Sequence, residues 1–124
     1  MPARLRPLTA AALDEVLNRI DDATRSGELP DPADLRVTVK HFLAVLAARA
    51  PGKSVEVRVP PYAAVQCIEG ARHTRGTPPA VVEVDAMTWI ALARDERSFA
   101  DAVGSGAVRA SGERSDLSDH LPLI

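Results

Sequence analysis

The sequence predicts an α+β fold in which helices pack on one face of a mostly antiparallel sheet, preceded by an extra N-terminal helix. Three observations carry that prediction. Apolar residues recur at helical spacing up to Pro51, and from Ser54 they switch to a period of two. The strand candidates are gathered centrally and joined by short connections, giving the order α, α, β, β, β, α, α, β. That order suits a sheet backed by helices better than a doubly wound one.

The first helix opens at Thr9, a plausible N-cap, and Leu13, Val16, Leu17 and Ile20 fall on one face. Asp14 and Glu15 sit early, where they complement the helix dipole, and Gly27 is the stop. A second helix begins at Pro32, capped by Asp31, because proline is pre-organised for the first helical position. Leu35, Val39, Phe42, Leu43 and Leu46 give it an apolar stripe, and Pro51-Gly52 ends it. SVEVRV (54–59) alternates valine with charge and reads as a strand with one buried face. Pro60-Pro61 breaks it, since neither residue donates to a ladder. YAAVQCI (62–68) and AVVEV (80–84) are further strand candidates, separated by the loop EGARHTRGTPP (69–79). Asp85 caps a helix carrying Trp89 and Leu92, Ser98 caps a short one carrying Phe99 and Val103, and Val108 to Ala110 is the last strand candidate.

At 124 residues the chain amounts to a single domain, 1–124, in which 1–30 is a helical extension. A hydrophobic share of 46% and a charged share of 26% are globular values, and they exclude whole-chain disorder. Aromatic residues are scarce at 3%, so the core is aliphatic and rich in alanine. A net charge of −2 gives no general attraction to nucleic acid or to an anionic membrane. The single cysteine, Cys67, forms no internal disulfide and fits a reducing compartment. No apolar run is long enough to span a bilayer, so no integral membrane association is expected. The N-terminal MPARLRPLTAAALDEV carries no apolar signal core, and the expected location is the cytoplasm.

Motifs that announce an enzyme are missing. There is no phosphate-cradling glycine loop, because Gly104-x-Gly106 lacks a third glycine and follows a helix, and there is no Gly-x-Ser-x-Gly elbow. His41, His73 and His120 are too scattered to make a spaced metal signature with one cysteine. The sequence therefore points to no metal, no cofactor and no catalysis, and a small enzyme or enzyme subunit using His73 is the weakest reading. His41 reads as a helix histidine at the edge of the core, and Cys67 as a small buried hydrophobe in a strand.

One polar cluster is dense: Arg72, His73, Thr74 and Arg75, bracketed by Gly70 and Gly76. Two guanidiniums, an imidazole and a hydroxyl can fork around a carboxylate or phosphate, and the glycines let backbone N–H groups turn toward the same anion. The competing reading is a solvated loop that keeps the protein soluble. The cluster is too small, and stacking aromatics too few, for nucleic acid. Trp89 has two readings as well, an anchor of its helix or a wall of an internal cavity.

Two stretches carry a family resemblance. DAMTWIALARDERSFADAVGSGAVRASGERSDLSDHLPL (85–122) is similar to the closing segment of the sterol carrier protein family, with a capped helix, a second helix, Ser105-Gly106 leading to a strand, and the Gly112-Glu113 turn. VPPYAAVQCIEGARHTRGTPPAVVEVD (59–85) resembles the small sterol-carrier-like proteins of high-GC bacteria. The resemblance implies a five-stranded, largely antiparallel sheet; the residues themselves show four strands, so four to five are expected. It also implies an apolar space between helices and sheet that holds fatty acyl chains, acyl-CoA or sterols. The basic loop 69–79 departs from ordinary sterol carriers.

The expected function is therefore non-catalytic carriage of an amphipathic, lipid-like ligand. Its tail would lie near Phe42, Leu46, Tyr62, Val65, Trp89, Leu92, Phe99 and Val103, and its anionic head at Arg72, His73, Thr74 and Arg75. The alternative is a docking module with a filled core, whose basic loop 72–75 engages an acidic protein partner. A homodimer stays open under both readings.

Overall fold

A computed structural model describes residues 5–70, 80–112 and 115–124. The helices are α1 (Ala10–Arg25), α2 (Pro32–Arg49), α3 (Ala86–Ala93) and α4 (Phe99–Gly104), and the strands are β1 (Val55–Val59), β2 (Ala63–Cys67), β3 (Ala80–Val84) and β4 (Val108–Ser111). The element order is the one the sequence predicts, with a 3-10 turn over Ser118–His120 added near the end.

Each helix starts where a short polar side chain takes up a free backbone N–H. Thr9 accepts from Ala12, Asp31 from Ala33, Asp85 from Thr88 and Ser98 from Asp101. The first turn of α1 holds no acidic residue, so Asp14 and Glu15 lie too far along to act on the helix end as expected.

Four strands form one sheet in the order β2-β1-β3-β4. β1 pairs antiparallel with β2 and parallel with β3, and β3 pairs antiparallel with β4. The sheet is thus mixed, with two of its three pairings antiparallel. Consecutive strands β2 and β3 are not neighbours, because β1 lies between them.

Register and the two-residue period place Val55, Val57 and Val59 on one face with Ala63, Val65 and Cys67 of β2 and with Ala80, Val82 and Val84 of β3. This is the face toward the helices. Glu56, Arg58, Gln66, Glu83 and Arg109 occupy the other face.

Helix α2 packs on β2, α3 and α1. Its middle is buried nearly all round, at Thr38, Val39, His41, Phe42, Leu43, Ala44 and Leu46. A single apolar stripe does not describe it, because α1 covers the side that a two-layer fold would leave to water. Val16 and Ile20 of α1 are buried in the shared core, and Leu13 and Leu17 flank them. Two ion pairs tie α1 down: Arg19 to Asp34 of α2, at 3.1 Å, and Asp21 to Arg94 after α3, through two bonds of 2.8 and 3.0 Å. The Arg94 guanidinium, through its hydrogen bonds, lowers the Asp21 carboxyl below its usual range. Both pairs are partly exposed, so each contributes on the order of 1 kcal/mol or less.

The turn from α2 into β1 depends on Gly52. Its φ is 151°, and a Cβ there would lie 2.2 Å from the backbone carbonyl of Ile68. A Gly52→Ala variant should therefore lose about 2 kcal/mol or more of stability in urea unfolding, through the backbone clash. Gly104→Ala is the control, because no atom lies within 4 Å of its added methyl and its φ is not positive. It should be neutral or stabilising by up to about 1 kcal/mol.

Candidate functional site between helices and sheet

The structure gathers most of the expected apolar residues. Phe42, Leu46, Trp89, Leu92 and Phe99 belong to one core cluster, with Tyr62 and Val65 packed against it. Val103 is outside that set, 40% exposed on α4. Phe42 and Leu46 come from α2 and Trp89 from α3, and all three have no accessible surface. Side chains with no accessible surface border no space that admits a water, so the interior is closed around them. The indole N–H of Trp89 donates to the carbonyl of Val39 at 3.4 Å, which fixes α3 against α2. Trp89 is an anchor here.

Cover of the sheet's inner face is uneven. Val55, Val57 and Val59 of β1 and Val82 and Val84 of β3 are sealed. On β2, at the sheet edge, Ala63 and Val65 are only half-buried although they face α2, and Tyr62 and Ile68 at the strand ends are half-buried too. Val45 on α2 is likewise partly open. At the seam between α2 and β2, partly open apolar side chains thus lie along β2 at Tyr62, Ala63 and Val65 and again at Ile68, with the fully buried Cys67 between them.

One end of this seam is built around Ser54. Its backbone N–H and its hydroxyl both donate to the carbonyl of Ile68, at 3.0 and 2.6 Å, and its own carbonyl accepts from Ala80 at 2.9 Å. Ile68 in turn donates to the carbonyl of Ala50 at the end of α2, at 2.6 Å. Gly70 fits here because a Cβ would meet the Ser54 side chain at 2.4 Å. Ser54 therefore holds both flanks of the basic loop: the chain departs at Ile68–Gly70 and returns at Ala80. Arg72, His73, Thr74 and Arg75 themselves lie outside the described residues. Ser54 was not singled out by sequence, and the glycine two residues before it is the only local signal.

The opposite end of the sheet holds an open groove of about 270 Å³, lined by Pro60, Glu83, Val84, Asp85, Gly106, Ala107 and Arg109. It uses none of the expected ligand residues. Among the described residues, no group of three or more His, Cys, Asp and Glu side chains comes together as metal ligands. No helix among the described residues is long and apolar enough to cross a membrane.

Two titratable groups lie inside. Cys67 is fully buried, and desolvation pushes its thiol up to about 11, which keeps it protonated at neutral pH. His41 is 6% exposed rather than at the core edge, because the segment before α1 folds over it. Its Nδ1 accepts the backbone N–H of Leu8 at 2.8 Å, and its ring meets Phe42 edge-on. Burial lowers its pKa.

These features define an α+β domain with an apolar interlayer that is incompletely covered at the edge strands of its sheet. A family model described as the bacterial SCP ortholog matches residues 31–123, most of the chain, and the protein belongs to that family of bacterial sterol carrier protein orthologues. The match begins at the cap of α2 and leaves out α1. A search of curated proteins finds no match.

Two outcomes check this geometry. Thiol reagents should leave Cys67 unmodified in the native protein at pH 8 and react fully in denaturant, as followed by absorbance or mass. Leu46→Ala should cost about 2–5 kcal/mol by chemical unfolding, with the cavity adding to the lost transfer energy.

Proposed function

We propose that the protein is a non-catalytic carrier of an amphipathic ligand of the fatty acyl, acyl-CoA or sterol-like class. The ligand's tail enters along the seam between α2 and β2, and its anionic head meets the basic residues Arg72, His73 and Arg75. The observation that carries this reading is the uneven cover of the inner face, sealed over β1, β3 and Cys67 but half-open at Ala63 and Val65 of β2, where α2 packs. Family membership supports it, since the family is one of sterol carriers. The Ser54 corner supports it too, because it fastens both flanks of the basic loop to one end of that seam.

Occupancy requires α2 to move away from β2, since Phe42, Leu46 and Trp89 are sealed. The driving force is burial of the tail at about 0.8 kcal/mol per methylene, so a chain of about a dozen carbons offers on the order of 10 kcal/mol against the cost of opening.

The sealed interior also favours a second reading. A docking module needs no internal space, and in that reading the basic loop engages an acidic protein surface.

The two readings are separated by native mass spectrometry of the purified protein, with organic extraction of bound material, followed by titration with a fluorescent fatty acid. The carrier reading predicts a bound lipid or a saturable uptake of the probe. Val65→Asp should weaken uptake at least tenfold by placing a charge on the half-open part of β2, and Arg109→Ala, at the far end of the sheet, should leave it unchanged. Absence of both bound lipid and probe affinity would sink the carrier reading.

A further inference from the structure

The segment before α1 is held by a titratable side chain. Leu5 and Leu8 are partly buried against the core, and the one side-chain hydrogen bond the described part of this segment makes is Leu8 N–H to His41 Nδ1. An imidazole nitrogen that accepts is unprotonated, so neutral His41 carries its proton on Nε2. A second proton would occupy the acceptor itself. The Leu8 bond and the His41 cation are therefore mutually exclusive, and that cation would sit at a site that is 6% exposed.

The surroundings offer it no counter-charge. On α2, Lys40 is adjacent and of the same sign, and Asp34 is paired with Arg19 of α1. On α1, Asp21 is paired with Arg94 and Asp22 with Arg25, while Asp14 and Glu15 are exposed. The segment itself contributes the cation Arg6, also exposed. β2 carries no charged residue, and α3 carries none between its cap Asp85, engaged with Thr88, and Arg94. Among the described residues none of these groups hydrogen-bonds to His41, and desolvation is the cause of its lowered pKa.

We propose that Leu5–Leu8 is an acid-released strap: protonation of His41 breaks its bond to Leu8, frees the strap, and uncovers the apolar surface beneath Leu5 and Leu8, while α1 stays docked. The division between strap and helix follows from the chemistry of the fasteners. The ion pairs that hold α1 use carboxylates, and that of Asp21 stays ionised further into acid than usual. The strap hangs on a histidine instead. The sign is fixed by linkage: burial lowers the His41 pKa in the strapped state, so the released state takes up its proton at higher pH than the strapped one. Strapping is therefore favoured where His41 is neutral and weakens as pH falls through the titration of the released state. The strap acts in the unliganded protein and does not depend on the proposed carrier function.

Backbone NMR of the full chain between pH 7.5 and 5.0 tests it. The heteronuclear NOE of residues 5–8 should fall on acidification. The Leu8 amide, corrected for intrinsic rate, should exchange severalfold faster, up to about tenfold at pH 5.5. Both changes should share the midpoint of the His41 ring titration, while the amides of Val16, Ile20 and Val57 keep their protection. In His41→Asn, whose side-chain oxygen can accept from Leu8 without titrating, the pH response should vanish. A strap that stays ordered while His41 titrates, or the same response in His41→Asn, overturns the proposal. If that variant does not fold, the wild-type titration decides alone, since a strap transition away from the ring midpoint is equally fatal.

Discussion

Burial of α2 on both sides is the constraint on which the rest depends. A helix that presents Thr38, Val39, His41, Phe42, Leu43, Ala44 and Leu46 to the interior needs a cover on each side. The sheet and α3 supply one, and α1 with the strap before it supplies the other. Arg19 and Asp21 fix α1 through partners on two different elements, which sets its orientation more than its stability. The family match stops at Asp31, so this second cover is a feature of the chain outside the matched domain. One consequence is that the wide face of α2 is closed to any ligand, and its narrow edge along β2 is the accessible one.

The Ser54 corner makes that edge a place rather than a gap. One residue joins the exit of β2 to the entry of β3, and Ile68 joins the same point to the end of α2. The connection from β2 to β3 therefore starts and ends on a fixed footing. A basic loop on rigid flanks loses less entropy on meeting an anion than one on floppy flanks.

Local chemistry made much of this fold readable in advance. Thr9, Asp31, Asp85 and Ser98 each cap the helix they precede because a side-chain oxygen satisfies an N–H a few residues away, an interaction written within a short stretch of chain. The alternation of Val55, Val57 and Val59 likewise fixed which face of β1 is buried. What stayed hidden is non-local. Parallel pairing of β1 with β3 leaves no trace in either strand's period. The burial of His41 comes from Leu8, far off in sequence, and the closing of Leu117 and Leu123 onto the core comes from a tail with no regular period. In the candidate site the apolar partners were legible, because period reports which side chains turn inward. Whether they leave room is a matter of volume, and here Phe42, Leu46 and Trp89 are sealed.

The central claim is that the seam between α2 and β2 opens to take an apolar tail. The most direct measurement is methyl NMR with a fatty acid spin-labelled near its tail end. The account predicts that Val65, Val57 and Leu46 methyl signals broaden more strongly on saturation than those of Val81, on the outer face. Broadening confined to outer-face or groove residues such as Val81 and Ala107, or none at all at saturating ligand, would contradict it.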